Sequence, residues 1–116
     1  MNKYIMFIPC TNRRRKKRWT AIFYDENNHC TDMIDFASSI NTDYLRMHLK
    51  DTSYYEEDEE RRERLKKNYI NSQTIRKYSD FWEEPNNVHS LERFICWNKS
   101  TFHDSVKDFK KRFDYN

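Results

Sequence analysis

LERFICWNKSTFHDSVKDFKKRF, Leu91 to Phe113, holds the clearest helical periodicity of the chain. Phe102, Val106, Phe109 and Phe113 recur at intervals of four, three and four, which puts all four on one face of a helix and leaves Lys107, Lys110, Lys111 and Arg112 off it. Thr101 is suited to cap the start with its hydroxyl, and Asp104 sits at the positive end of the helix dipole. The basic residues gather at the opposite end, where they favour the negative pole. Upstream, Ser90 is expected to cap a shorter helix that turns Leu91, Phe94 and Ile95 inward, with Trp97 to Ser100 as the turn between the two. Such a pair fits a helix-turn-helix reader of DNA, but an ordinary packed corner is the commoner arrangement and the one expected over residues 90–113.

Before this corner lies a charged segment. Ser53-Tyr54-Tyr55-Glu56 has the form of a capping box and predicts a helix start there. Glu57 with Arg61, Asp58 with Arg62, Glu60 with Arg64 and Glu63 with Lys67 are four pairs spaced i,i+4 with the acid first, each worth about 0.2 to 0.5 kcal/mol. Few apolar anchors hold this solvent-facing helix: Tyr55, Leu65, Tyr69 and Ile70. Ile75, Tyr78 and Trp82 prolong the spacing toward Pro85, so the helical segment is read as 53–82, bent or continued by a second helix, with Asn86 to His89 as the following loop. Ala37 to Asp51, with Tyr44, Leu45, Met47 and Leu49 irregularly spaced, reads as a connecting turn with room for a short helix.

The N-terminal third has the period of strands. Lys3 to Ile8 is apolar on both faces, which predicts a central strand or one covered on each side, ended by Pro9. Trp19 to Tyr24 is rich in strand formers, Asp25 to His29 supplies a turn, and Cys30 to Phe36 returns. The expected fold is therefore α+β: a three-stranded antiparallel meander over 1–36, packed against a long charged helix and two short C-terminal helices in a single domain, 1–116. The chain has no glycine, so Asn27, Asn28, Asn41, Asn86 and Asn87 are the expected residues wherever the backbone needs positive φ.

A domain of 116 residues buries roughly 65% of its unfolded surface, and with only 36% hydrophobic residues but 16% aromatic ones, rings must supply much of that core. Charged residues of both signs make up 35% with a net charge of +3, which excludes a histone-like basic surface and confines any nucleic-acid site to a local patch. No apolar run is long enough to span a membrane, and the basic cluster follows the apolar N-terminal residues, the reverse of a secretory signal. Cys10, Cys30 and Cys96 are odd in number and widely spaced, which points to reduced thiols.

The C-terminal stretch resembles the signature of a small uncharacterised protein family of nucleocytoplasmic large DNA viruses, phycodnaviruses and mimivirus relatives among them. In that family a Leu-x-Arg-aromatic-aliphatic-x-Trp-Asn-Lys-Pro-Thr run leads into a helix ending in Asp-aromatic-x-x-Arg-Phe. Leu91, Arg93, Phe94, Ile95, Trp97, Asn98, Lys99, Thr101, Ser105, Asp108, Phe109, Arg112 and Phe113 match it. Looser echoes lie at Trp19 to Tyr24 and at Asp43-Tyr44, so the resemblance covers about residues 18 to 113. Ser100 departs from the family's proline, and the family's glycines after the third strand and before the Leu-x-Arg helix are missing. The resemblance implies a viral accessory protein of the host cytoplasm or nucleus, or of the virion, with structural roles for Leu91, Arg93, Trp97, Asn98, Lys99, Asp108, Arg112 and Phe113. It carries no established reaction.

Three features bear on function. Arg13, Arg14, Arg15, Lys16, Lys17 and Arg18 are six consecutive cations abutting Trp19 and Tyr24, a combination that neutralises phosphates and offers rings for base stacking. The run also has the composition of a nuclear import sequence, and a solvated hairpin connection is the plainer reading. Lys110 and Lys111 extend the surface if the fold brings them alongside; otherwise they complement the helix dipole. His29, Cys30, His48, His89, Cys96 and His103 are potential metal ligands, yet they lack the closely spaced pairs of a zinc site, so no metal, cofactor or catalytic group is expected. Two functions follow as expectations: binding of DNA or RNA through the basic connection, or docking of a viral or host protein on the charged helix and aromatic corner, as in a minor virion component. No membrane partner is expected.

Overall fold

The computed structural model describes residues 2–116. Its fold is α+β: three antiparallel strands, β1 (Tyr4–Pro9), β2 (Lys17–Tyr24) and β3 (Cys30–Ser38), are followed by helices α1 (Glu59–Asn71), α2 (Gln73–Arg76), α3 (Val88–Leu91) and α4 (Phe102–Arg112). The strands form a meander in the order β1-β2-β3. Registers such as Ile5 opposite Phe23 and Trp19 opposite Phe36 set one face of each strand toward the helices. The β2–β3 turn is closed by Asp25, whose carboxylate accepts from the backbone N–H groups of Asn27 and His29, while Asn28 takes φ 65°.

β1 is an edge strand, not a central one. Ile5 and Phe7 face the core, but Met6 and Ile8 are exposed on the other side, together with Met33 of β3. Apolar residues on both faces of a strand fit burial on both sides, and here only one side is covered. The positive-φ positions also differ from expectation: besides Asn28 they are Lys16, Ala37 and Asp114, while Asn27, Asn41, Asn86 and Asn87 are not among them. Turn geometry is dictated by strand ends and helix ends, and the residue that falls there must accept it.

The core lies between the inner sheet face and the C-terminal corner: Ile5, Ala21, Phe23 and Phe36 meet Leu91, Phe94, Ile95, Cys96 and Phe109. Phe7 is the hub of the ring packing, edge-on to Phe36, Phe102 and Phe109. α3 is capped by Asn87, not by Ser90; Ser90 is buried, donating its hydroxyl to the carbonyls of Phe81 and Glu84. Beyond Leu91 the helix widens into a π turn, Glu92–Cys96, closed by the Trp97 N–H to the Glu92 carbonyl. The smaller rotation per residue of this turn lets three successive side chains, Phe94, Ile95 and Cys96, face the core.

Asn98, Lys99, Ser105 and Asp108 build the corner that follows. Asn98 bridges the Phe94 carbonyl and the Asp108 carboxylate, Arg112 pairs with Asp108 at 3.5 Å, and the Lys99 N–H donates to Ser105. Thr101 caps α4 by accepting from the Asp104 N–H. Phe102, Val106, Phe109 and Phe113 then face the core as their spacing predicts.

The charged helix starts later than the sequence suggests. Asp58 is its cap, accepting from Glu60 and Arg61, and the Ser53–Glu56 capping box does not form. Residues before Asp58 are held instead by long-range bonds: the Glu56 N–H reaches Met47, and the Tyr54 hydroxyl reaches Ile40. None of the four i,i+4 pairs lies within 4 Å among the described residues; Glu56 pairs with Arg61, and Glu63 accepts from Tyr44. α1 leans on the corner through Tyr69, stacked on Trp97 at 4.3 Å, and Lys66, which donates to the Asn98 carbonyl. Ser72 breaks it and caps α2, and a tight 3₁₀ turn at Ser79–Glu83 leads to Pro85.

Candidate nucleic-acid interface

The β1–β2 connection is shaped by its own polar residues. Asn12 accepts from the Arg14 N–H and opens a single 3₁₀ turn, Arg13–Arg15; Lys16 then turns the chain back at φ 51°. The carbonyl of Lys16 accepts from Ser39, which ties the turn to the end of β3. Arg13, Arg14, Arg15 and Lys16 are exposed, with Arg15 3.6 Å from Asp35.

The last two cations of the run turn away from solvent. Lys17 stands 4.0 Å from Glu92. Arg18 is enclosed: its guanidinium meets the buried Asp43 carboxylate at 2.5 Å and donates to the Ser38 carbonyl at 2.6 Å. The six cations therefore divide into an outward group, Arg13, Arg14 and Lys16, a partly neutralised Arg15, and an inward pair committed to the fold.

The two predicted stacking rings are also separated. Trp19 lies flat on Phe102, with centroids 4.4 Å apart and planes at 15°, whereas Tyr24 stacks in the same way on Tyr4. Five residues apart on one strand, they point to opposite faces and are about 17 Å distant along it. α4 starts beside Trp19 at Phe102, and the Phe23 end of β2 meets Tyr115, so α4 runs away from the basic turn and carries Lys110 and Lys111 about 12 to 14 Å along its axis from the Trp19 end. The structure does not bring them together with Arg13 to Lys16.

Trp19 does border open space. A groove of about 590 Å³, mostly apolar, is floored by Trp19 and Phe102 and walled by Leu45, Leu49, Arg46 and Tyr54. That volume is in the range of small-molecule sites and exceeds what one aromatic ring needs. Arg46 lies over the Tyr54 ring at 4.2 Å and donates to the carbonyls of Ser39 and Asn41. Through Ser39 it is linked to Lys16, so a continuous path joins the basic turn to the groove wall. His48 lines the groove too, with Nδ1 donating to the Tyr44 carbonyl at 2.8 Å.

Arg46, His48 and Leu49 belong to the irregular segment whose spacing matches neither helix nor strand, so no periodic signal marked them, and Tyr54 was read as part of a helix start that does not form. Their only hint was the density of apolar and basic residues between Tyr44 and Leu49.

No family model, curated protein or solved structure matches this chain.

Other chemistry is sparse. Among the described residues no group of three or more His, Cys, Asp or Glu side chains converges as a metal site. Cys96 is fully buried, and that burial, followed by the nearby Glu92 carboxylate, pushes its thiol well up, opposite to the activation a nucleophile needs. No helix of the described residues is long and apolar enough to cross a membrane. A second cavity, about 390 Å³, lies between the end of β3 and the α2–α3 region, lined by Lys17, Asp43, Tyr78, His89 and Glu92.

Proposed function

We propose that this chain binds single-stranded nucleic acid as an accessory protein of a large DNA virus. Phosphates contact Arg13, Arg14 and Lys16, and an unpaired base enters the groove floored by Trp19. The observation that carries this reading is the hydrogen-bonded link, from the Lys16 carbonyl through Ser39 to Arg46, between a turn with three exposed cations that pair with no acid among the described residues and an apolar, ring-lined groove large enough to admit a base. Stacking on a ring wall is sequence-tolerant, and cations on one side of it attract the backbone. Tyr24, Lys110 and Lys111 have no part in this reading, because they lie away from the groove.

Fluorescence anisotropy with labelled single- and double-stranded DNA and RNA across a salt series is the test. The wild type is expected to bind single strands with an affinity that falls as salt rises, and Arg13→Gln/Arg14→Gln/Lys16→Gln to lower the log–log slope by about 2, the contribution of three single-strand phosphate contacts. Failure of the wild type to bind any strand at low salt removes the proposal.

The exposed Met6, Ile8 and Met33 on the outer sheet face favour a second reading, a protein-docking or minor virion role in which the basic turn serves solubility or import. Binding on that face is expected to be nearly insensitive to salt. The viral assignment is supported by the signature at Leu91 to Phe113. Mass spectrometry of purified virions tests packaging, and absence from them leaves the infected cell's cytoplasm or nucleus as its location.

A further inference from the structure

Three arginines from three different elements gather over two rings on the outer side of the corner. Arg93, in the π turn, lies 5.7 Å from the Trp82 ring and 5.1 Å from the Phe94 ring. Arg76 of α2 shares Trp82 at 5.8 Å, Arg112 of α4 shares Phe94 at 4.1 Å, and the two ring centroids are 6.3 Å apart. Ring faces attract guanidinium groups and set their planes, which explains how three like charges are held in one place.

Their mutual repulsion is poorly offset. Among the described residues the one carboxylate within 4 Å of any of these three guanidiniums is Asp108, 3.5 Å from Arg112; it also accepts from Asn98 at 2.7 Å. Burial lowers the Arg93 pKa, and Arg112 and Arg76 lower it further, as expected for a cation without enough counter-charge. One Arg93 Nη donates to the Trp97 carbonyl, while its Nε is buried and has no partner. A buried donor left unpaired in a cluster of excess positive charge calls for an explanation beyond packing.

We propose that Arg76, Arg93 and Arg112 form a binding site for a dianionic phosphate group. Three guanidiniums against one carboxylate leave two positive charges, which a phosphate monoester or inorganic phosphate, carrying about −1.5 to −2 near pH 7, neutralises and a carboxylate does not. Planar forks with free N–H groups match phosphate oxygens in paired hydrogen bonds, and the ring faces pre-orient them. The same chemistry arrives from free phosphate or from the 5′-phosphate end of a nucleic-acid strand. The site is separate from the basic β1–β2 connection and does not depend on the function proposed for it.

The test is an NMR titration of the full chain, observing arginine Nε–H signals, with inorganic phosphate added against chloride at constant ionic strength. Saturable shifts are expected at Arg93 and Arg112, unaffected by Arg13→Gln/Arg14→Gln/Lys16→Gln. Arg76→Gln and Arg112→Gln, both at exposed positions, are each expected to weaken phosphate binding by about tenfold, and Arg112→Lys to weaken it despite the retained charge. Unchanged signals from the ring of Phe36, buried in the sheet face of the core and touched by none of the three arginines, show that these variants remain folded. A 5′-phosphorylated oligonucleotide that displaces phosphate where its 5′-hydroxyl counterpart does not identifies a strand end as the source; no displacement by either identifies free phosphate. The proposal is overturned if phosphate gives no saturable shift beyond chloride, or if the shift survives in the Arg76→Gln/Arg112→Gln double variant.

Discussion

Arg18 and Asp43 form an enclosed ion pair, 2.5 Å between Nη2 and Oδ2, with side chains 18% and 6% exposed. Asp43 also accepts from the Arg46 N–H at 2.9 Å, so one carboxylate ties the start of β2 to the groove wall. Removing it leaves a buried guanidinium without its counter-charge. Asp43→Ala is expected to cost about 3 kcal/mol in urea denaturation. Arg13→Gln and Arg14→Gln, at exposed positions, are expected to stay within about 0.5 kcal/mol of wild type. Neutralising all six cations at once therefore mixes a binding effect with unfolding, and equal costs at Arg13 and Asp43 would contradict the division of the run described above.

The Trp19–Phe102 stack supports both the core and the groove floor. Phe102 is half-buried, so Phe102→Ala is expected to cost about 2 kcal/mol, less than a fully enclosed phenylalanine. It is also expected to weaken single-strand binding more than Tyr24→Ala, whose ring stacks on Tyr4 at the far end of β2. Equal losses in anisotropy for the two variants count against base entry at the groove.

The helix start can be tested at two residues. Asp58→Ala removes a cap that accepts from two N–H groups and is expected to cost about 1 kcal/mol. Ser53→Ala is expected to change stability by less than about 0.5 kcal/mol, since Ser53 is exposed and caps nothing. Thermal denaturation followed by circular dichroism decides, and the reverse ranking would restore the earlier start.

Stability is expected to fall at alkaline pH. Burial first, then the hydrogen bond and charge of Glu63, push Tyr44 up to about 12, and burial also raises Tyr69, Tyr115 and Cys96. The native state holds these protons at pH values where the unfolded chain has released them, so their contribution is complete below the ordinary values of 9.0 for cysteine and 10.0 for tyrosine and is lost above them. Lys66, lowered by burial, opposes this just below 10.5, where a rise in pH favours the native state. One lysine against four acids leaves a net loss. Urea midpoints are expected to fall between about pH 8.5 and pH 11, and Tyr44→Phe to flatten the fall; a midpoint that rises over this range refutes the assignment.

How much of this was legible before folding depends on the range of the interactions involved. The α4 stripe, the Thr101 cap and the three strands rest on spacings within a few residues, and the sequence by itself determined them, together with the aromatic character of the core and the α+β class. The capping box read at Ser53 is overridden by distant bonds from Tyr54 to Ile40 and from Glu56 to Met47, which hold that segment out of the helix and leave Asp58 as its cap. Which face of β1 is covered, which cations of the run are spent on Asp43 and Glu92, and which rings floor the groove depend on partners many residues away. The gathering of Arg76, Arg93 and Arg112 over Trp82 and Phe94 is of the same kind. Periodicity encodes what a residue does to its own turn or strand, whereas burial, ion pairing and the sharing of a ring are settled only when distant elements compete for the same space.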